Sequence, residues 1–203
     1  MSRDRFIAGG LFALGLAAIG GYALSQSAAV AQDTTDGPGP NLVIEVAGST
    51  TGTIVIDMAS DVAPNHVAQI TALAQESAYD GVVFHRVIDG FMAQTGDVEF
   101  GKTGGDLSGA GMGGSAKPDL AAEFSSMTFD RGVVGMARSM DPNSANSQFF
   151  IMFAPAPHLD GQYTVVGRVI SGMEVVDAIK KGDQAANGAV DAPDFMAKVT
   201  VAE

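Results

Sequence analysis

Residues 84–97 read FHRVIDGFMAQTGD, and this stretch places a cationic side chain inside an apolar pattern. Apolar residues on both sides of the Asp89-Gly90 turn predict two short strands of a β-hairpin. Arg86 lies in the first strand and Gln94 in the second. Burying an unpaired guanidinium costs several kcal/mol. The pattern therefore indicates that Arg86 has a function that explains why a charged residue is kept at this position.

Short apolar runs rich in β-branched residues recur on both sides of that stretch. They predict strands over residues 41–47, 52–59, 82–88, 91–96, 132–137, 147–153, 163–170 and 196–203. Apolar residues at helical spacing predict one helix that begins near Pro64 and a second within 171–183. Because strands and helices do not alternate, we expect an antiparallel barrel or sandwich.

Composition narrows the classes of function. The chain has 203 residues, 46% of them hydrophobic and 17% charged, which is typical of one globular domain. A formal net charge of −12 repels phosphate backbones, so we expect no nucleic-acid partner. There is no cysteine, and the three histidines are too far apart in sequence for a local metal motif. We therefore expect neither a metal nor a cofactor.

The N-terminal segment 1–31 has the composition of a targeting sequence. Arg3 and Arg5 precede a long apolar run, and Ala29-Val30-Ala31 matches the small-x-small pattern of a cleavage site. This layout predicts a secretory signal peptide. An uncleaved membrane anchor is the alternative, since the apolar run is about long enough to span a bilayer.

Both alternatives predict a periplasmic or otherwise extracytoplasmic domain, with a membrane association only if the segment is uncleaved. Residues 32–40, QDTTDGPGP, are polar and contain two prolines and two glycines, which predicts a flexible linker. The folded domain is predicted to span 41–203.

The glycine-rich segment 101–119 predicts a long loop. It lacks the spacing of a phosphate-binding loop, and no serine in the chain lies in a nucleophile-elbow motif. Hydrolase chemistry therefore has no supporting pattern. Asp97, Asp106 and Asp119 lack the spacing of an EF-hand loop, so we interpret them as solvated carboxylates.

Large apolar residues interleaved with a few hydrogen-bonding side chains remain as the candidate site. They are Arg86, Phe91, Met92, Gln94, Gln148, Phe150, Leu159 and Tyr163. Taken singly, each is expected to be a core residue or a satisfied core hydrogen-bonding group. Taken together, they suggest a more specific site.

Three motifs carry a family resemblance. FHRVIDGFMAQTGD resembles the cyclophilin signature, SANSQFFI at 144–151 resembles the second motif of that family, and HLDGQYTVVGRVISGMEVVDAI at 158–179 resembles its third. They occur in the family's order, and the similarity covers about 41–203. The resemblance implies a mainly β fold, a closed eight-stranded antiparallel β-barrel capped by two α-helices.

Cyclophilins are peptidyl-prolyl cis-trans isomerases, so the resemblance implies that this chain rotates X–Pro bonds in proline-containing polypeptides. It assigns Arg86 as the donor to the proline nitrogen and Gln94 as the residue that holds Arg86 or binds substrate backbone. The catalytic set it implies is Arg86, Phe91, Gln94 and Phe150. The substrate-binding set it implies is Met92, Ser139, Gln148, His158, Leu159 and Tyr163.

Some positions depart from the family pattern. His158 stands where many cyclophilins have a tryptophan that contributes to cyclosporin binding, so we expect weak cyclosporin binding. Tyr163 stands where many have a histidine. Arg138 and Ser139 differ from the eukaryotic form and leave the preference for the residue before proline open.

We expect a monomer that assists folding of exported proteins. A non-catalytic proline-binding chaperone module is the alternative.

Overall fold

The computed structural model describes residues 34–203, so the signal peptide or anchor predicted for 1–31 lies outside the described residues. The described chain contains nine β-strands and two α-helices. In chain order they are β1 (Asn41–Ala47), β2 (Gly52–Met58), α1 (Pro64–Gln75), β3 (Val82–Val83), β4 (Arg86–Ile88), β5 (Met92–Thr95), β6 (Val133–Met136), β7 (Phe149–Met152), β8 (Val165–Ser171), α2 (Met173–Ala178) and β9 (Phe195–Ala202). Two 3-10 turns, Pro157–Leu159 and Gln184–Ala186, complete the set.

The strands form one antiparallel sheet in the order β3-β9-β1-β2-β8-β6-β7-β5-β4. Its two edge strands, β3 and β4, are consecutive in the chain and are separated by Phe84 and His85 alone. The sheet therefore curls until its edges meet at this seam, and the Thr95 hydroxyl of β5 donates across it to the Val83 carbonyl at 2.9 Å. The prediction of a mainly β antiparallel fold is confirmed. The run 82–88, predicted as one strand, is divided in two, so nine strands are present instead of eight.

The strands and both helices share one main core. It contains Leu42, Ile44, Ile54, Ile56, Val166 and Val169 from the sheet, with Val67, Ile70 and Leu73 from α1 and Val176 from α2. Burial of each such aliphatic side chain contributes about 1.5–3 kcal/mol to the stability of the folded state. This core fixes the strand register on which the site depends.

Helix α1 begins at Pro64, whose missing N–H is not needed in a first helical turn. The preceding residue, Ala63, provides no side-chain cap, and Glu123 from a distant loop replaces it. The Glu123 carboxylate accepts from the backbone N–H of Asn65 at 3.2 Å and of His66 at 3.1 Å. Burial opposes its ionisation, yet the hydrogen bonds from His66 and Asn65 hold the pKa of Glu123 below its ordinary value.

The described part of the segment predicted as a linker lies against β2. The Met58 N–H donates to the Pro40 carbonyl at 3.1 Å, and Arg168 Nη2 donates to the Thr35 carbonyl at 2.8 Å. A Cβ at Gly39 would overlap the Met58 carbonyl oxygen, so only glycine fits there. Within residues 34–203, no helix combines the length and hydropathy needed to cross a membrane.

Candidate active site

A row of directly opposed residues crosses the outer face of β4, β5, β7 and β6. Arg86 is paired with Gln94, Gln94 with Phe150, and Phe150 with Gly135. Directly opposed residues project to the same face of a sheet, so three different strands bring a cation, an amide and an aromatic ring side by side. Residues that alternate with this row face the main core instead. They are Val87, Ala93 and Ile151.

An apolar pocket of about 200 Å³ opens beside this row. Its lining residues are Arg86, Phe91, Met92, Gln94, Ala137, Arg138, Phe150, Leu159 and Tyr163. The structure therefore brings together seven of the ten residues that the sequence singled out for the site. Ala137 and Arg138 are the additional members. We call this cavity the proline pocket, after the ring that the family resemblance predicts there.

Aromatic rings pack against one another in and behind the wall of the proline pocket. Phe150 stacks on the buried ring of Phe129 at a centroid distance of 5.7 Å, and Tyr163 meets Phe150 edge-on at 5.8 Å. A Cβ at Gly135 would lie 2.6 Å from the Phe129 ring and 2.7 Å from the Phe150 ring. Glycine is therefore required there. Sequence reasoning missed both Phe129 and Gly135, because neither carries a polar or motif signal for the site.

Arg86 is held from two sides. Its Nη1 donates to Gln94 Oε1 at 3.2 Å, its Nε to the Asn187 carbonyl at 3.0 Å, and its Nη2 to Asn187 Oδ1 at 3.1 Å. Burial lowers the pKa of Arg86 below its ordinary value, and Tyr163 acts in the opposite direction. A guanidinium stays protonated at neutral pH, so the pocket wall carries a fixed positive charge.

Sequence reasoning also missed Asn187. It ends the Gln184–Ala186 turn in a left-handed conformation, with φ of 55°. The Asn187-Gly188 dipeptide is a turn signal that could have located this turn. Its contact with Arg86 joins positions about a hundred residues apart, and no local pattern predicts such a contact.

Gln148 hydrogen-bonds to both Gln94 and the glycine-rich loop. Its Oε1 accepts from Gln94 Nε2 at 2.9 Å. Its Nε2 donates to the carbonyls of Gly111 at 3.0 Å and Gly113 at 2.8 Å. Gln148 lies outside the lining of the proline pocket and behind Gln94. The polar side of the site is therefore a continuous hydrogen-bond network.

Asp97, the last residue of the opening stretch, anchors the glycine-rich loop. Its side chain is 0% exposed, so the expectation of a solvated carboxylate is wrong for this residue. Asp97 accepts from four backbone N–H groups, those of Glu99, Phe100, Gly111 and Gly113, at 2.7–3.1 Å. A carboxylate surrounded by N–H donors replaces its lost hydration with hydrogen bonds, which accounts for its burial.

A larger cavity of about 520 Å³ adjoins the proline pocket, and Gln94, Ala137 and Arg138 line both. We call it the polar groove. Backbone of the glycine-rich loop and short polar side chains form most of its wall, and Ser139 and Gln148 belong to it. The Ser139 hydroxyl is exposed and pairs with that of Ser144 at 2.7 Å.

Arg138 separates the proline pocket from the polar groove. Its guanidinium lies 4.4 Å from the centroid of the Tyr163 ring, a cation–π arrangement. Nη1 donates to the Ser139 carbonyl and Nη2 to the Gln162 carbonyl, both at 2.9 Å. These contacts fix the charge flat against the pocket wall.

His158 takes a peripheral position. It lies in the Pro157–Leu159 turn, which directs Leu159 into the proline pocket and leaves His158 exposed. The imidazole stacks on Phe91 at a centroid distance of 5.9 Å and does not line the cavity. Among residues 34–203, no group of three or more acidic or histidine side chains is arranged to hold a metal ion.

An apolar pocket with a fixed cation at its wall is suited to holding a proline ring beside a hydrogen-bond donor, and the sequence comparisons agree. The family model described as "Cyclophilin type peptidyl-prolyl cis-trans isomerase/CLD" matches residues 42–201. The chain therefore belongs to the cyclophilin family of peptidyl-prolyl cis-trans isomerases, enzymes that rotate X–Pro peptide bonds.

Two relatives illustrate the range of similarity. A Brucella suis protein named "Probable peptidyl-prolyl cis-trans isomerase" is 61% identical over 152 residues, which cover 74% of this chain and 78% of that protein. The Rattus norvegicus protein named "Peptidyl-prolyl cis-trans isomerase-like 3" is 41% identical over 130 residues, covering 64% of this chain and 77% of that protein.

Solved structures match the fold. A cyclophilin from Hirschia baltica superposes with a TM-score of 0.67 at 26% identity, covering 81% of this chain and 74% of that one. A Cryptosporidium parvum cyclophilin, determined in the presence of the dipeptide Ala-Pro, also gives a TM-score of 0.67, at 24% identity, and covers 80% of this chain and 99% of that one.

Proposed function

We propose that Arg86 accelerates isomerisation by donating a hydrogen bond to the amide nitrogen of an X–Pro bond as that bond twists. Phe91, Met92, Phe150 and Leu159 hold the proline ring meanwhile. The observation that carries this proposal is that Arg86 is fixed by Gln94 and Asn187 at the wall of an apolar pocket.

The geometry leaves donors available for this role. A guanidinium has five N–H groups, and the bonds to Gln94 and Asn187 use three of them. One N–H on Nη1 and one on Nη2 are left over for substrate. Because the bonds to Gln94 and Asn187 already fix the guanidinium, the free donors need not be ordered during the reaction.

The energetics suit a site without a nucleophile. The planar amide resists rotation with a barrier of about 18–20 kcal/mol, since its nitrogen lone pair is delocalised. Twisting returns that lone pair to the nitrogen, which only then accepts a hydrogen bond. A turnover of about 10³ per second requires that roughly 5–7 kcal/mol be removed from the barrier. A donor that acts on the twisted amide and hardly on the planar one lowers the barrier selectively.

We propose proline-containing polypeptides as the substrates. The Cryptosporidium parvum relative was determined with Ala-Pro present, and the proline pocket of this chain has the apolar lining that a pyrrolidine ring requires. The adjoining polar groove offers space for residues next to the proline. A non-catalytic chaperone module would use the same pocket but would not depend on the charge of Arg86.

The test is an isomerisation assay on a short X-Pro peptide with wild type and Arg86→Ala. We expect the variant to lose about 10²-fold in kcat/KM, the scale of losing one charge-stabilising donor. Arg131→Ala is the matched control, because Arg131 pairs with Asp177 and does not line the proline pocket. Wild type that does not exceed the uncatalysed rate would favour the chaperone alternative. Full activity of Arg86→Ala would overturn the proposed mechanism.

We also propose that the enzyme acts outside the cytoplasm, in the periplasm or an equivalent compartment, on exported proteins. The support is the sequence pattern of residues 1–31: two arginines, an apolar run and a small-x-small site. Mass spectrometry of the N-terminus of the protein purified from its native cells tests this. A start near Gln32 supports a cleaved signal peptide, whereas a start at Met1 or Ser2 in a membrane fraction supports an anchor. An intact chain in the cytosolic fraction would refute both.

A further inference from the structure

We propose that the glycine-rich loop aims Arg86 through a polarised relay of two side-chain amides. The relay runs from the Asp97 carboxylate through the backbone of Gly111 and Gly113, then through the amides of Gln148 and Gln94, to the guanidinium of Arg86. This inference rests on the proposed role of Arg86. It gives the loop a function in the reaction and makes Gln148 a positioning residue.

The relay begins where Asp97 fixes the backbone of the glycine-rich loop. Backbone N–H groups only donate, and the oxygens of a carboxylate accept from them. The N–H groups of Gly111 and Gly113 both point to Asp97 Oδ2, at 2.7 and 2.9 Å. Only glycine fits these two positions: Gly111 has φ of +96°, and a Cβ at Gly113 would lie 2.5 Å from Asp97 Oδ1.

The loop carbonyls then fix the first amide. Carbonyl oxygens also only accept, and those of Gly111 and Gly113 converge on one end of the Gln148 side chain at 3.0 and 2.8 Å. That end must be the NH₂ group, because the flipped amide would place three oxygens together. The oxygen of Gln148 is therefore directed towards Gln94.

The second amide follows from the first. Because Gln148 presents an oxygen, Gln94 must turn its NH₂ group to it, which leaves Gln94 Oε1 at the opposite end, 3.2 Å from Arg86 Nη1. Arg86 has only donors, so this is the one orientation of Gln94 that attracts it. The flipped orientation would set NH₂ against NH₂ and push the guanidinium away from its position beside the proline pocket.

Two substitutions in the amide pair test the relay. Gln148→Leu keeps the approximate volume but frees the Gln94 amide to flip, so we expect kcat/KM to fall about tenfold, with the loss in kcat. Gln94→Glu alone places a carboxylate against the Gln148 oxygen, and we expect a loss of about fivefold. The double variant should recover to within about threefold of wild type, because a carboxylate accepts from Arg86 in either orientation and no longer meets an opposing oxygen.

This recovery distinguishes the relay from other roles of Gln148. If Gln148 binds substrate directly or only supports the fold, Gln94→Glu cannot restore its loss, and the double variant will be at least as impaired as the worse single one. That outcome would overturn the relay while leaving the Arg86 mechanism intact. Failure of the Arg86 mechanism would show separately, as full activity of Arg86→Ala.

A second comparison tests the loop end of the relay. Asp97→Asn puts an NH₂ group among backbone donors, whereas Asp106→Asn makes the same change within the glycine-rich loop, at an exposed side chain that accepts from the Ser108 N–H. We expect Asp97→Asn to shift the side-chain NH₂ resonances of Gln94 and Gln148 and to lower kcat about tenfold. Asp106→Asn should alter neither. A folded Asp97→Asn variant with unchanged resonances and kcat would refute the loop's part in the relay. If Asp97→Asn does not fold, the activities of Gln148→Leu, Gln94→Glu and the double variant decide whether the relay exists.

Discussion

The proline pocket and the polar groove share Gln94, Ala137 and Arg138, yet they are built in different ways. Four of the nine residues that line the pocket stand on strands: Arg86 on β4, Met92 and Gln94 on β5, and Phe150 on β7. Phe150 is packed against the buried ring of Phe129. Loop backbone and short hydroxyl or amide side chains form most of the groove, whose volume of about 520 Å³ exceeds the pocket's 200 Å³.

This difference separates two tasks. The pocket must hold one ring and one bond in a defined geometry, and strands set side-chain positions more rigidly than loops do. In the proposed reaction the groove faces the rest of the polypeptide substrate, whose sequence varies from one substrate to the next. Loops with short polar side chains accept such variation at small cost. We therefore expect substitutions in the pocket to impair the reaction itself and substitutions in the groove to alter the choice of substrate.

Among substitutions of uncharged residues, the largest effect is expected for Phe150→Ala. Removing a ring that is 6% exposed and stacked on Phe129 should destabilise the fold by about 3–5 kcal/mol and lower kcat/KM about 10–100-fold. Phe153→Ala is the matched control, because Phe153 is equally buried at 7% but belongs to the main core. Urea unfolding should show a similar loss of stability for both variants. An equal loss of kcat/KM for both, assayed where each is folded, would contradict the special role of the pocket.

An intermediate effect is expected for His158→Trp at the rim. His158 stacks on Phe91 outside the pocket lining, so we expect kcat/KM to stay within about twofold of wild type. The larger ring adds apolar contact area for cyclosporin, and we expect its Kd to fall about tenfold from a weak wild-type value. Isothermal titration of both proteins provides the measurement. Tight cyclosporin binding by wild type would show that a tryptophan at this position is not needed.

The smallest effect is expected for Ser139→Ala in the groove. The hydroxyl is exposed and contacts only its own loop through Ser144 and the Asp141 N–H, so kcat/KM for one short peptide should change less than about twofold. The ranking of a peptide series that varies the residue before proline should nevertheless change, because Ser139 lines the groove. An unchanged ranking together with a large loss on every peptide would place Ser139 in the reaction and not in selection.

Sequence patterns predicted the pocket far better than the groove, for a physical reason. Met92 and Phe150 belong to the short apolar runs 91–93 and 149–153, and such runs are visible in one chain. Part of the groove wall is the backbone of Gly111, Gly113 and Gly114, which have no side chains to form a pattern. The motif resemblance assigned Ser139 to substrate binding, but no local sequence pattern predicts the shape of the groove.

Long-range contacts account for the other differences. The run 82–88 has uniform strand character, yet β3 pairs with β9 whereas β4 pairs with β5, so the strand divides at Phe84-His85. Asp97 was expected in solvent because aspartate usually is, and its four donors come from loop positions that no sequence rule brings together. Asn187 reaches Arg86 in the same non-local way.

The seam of the barrel has a consequence for the folding of this enzyme itself. Arg86 follows directly after the two residues at which the sheet closes, and Val82 on the other side pairs with Met196, more than a hundred positions away. Pairings of such high contact order form slowly, because a long loop must close before the pairing contributes any stability. Activity recovered during refolding should therefore follow closure of the seam more closely than the formation of the local β1–β2 hairpin.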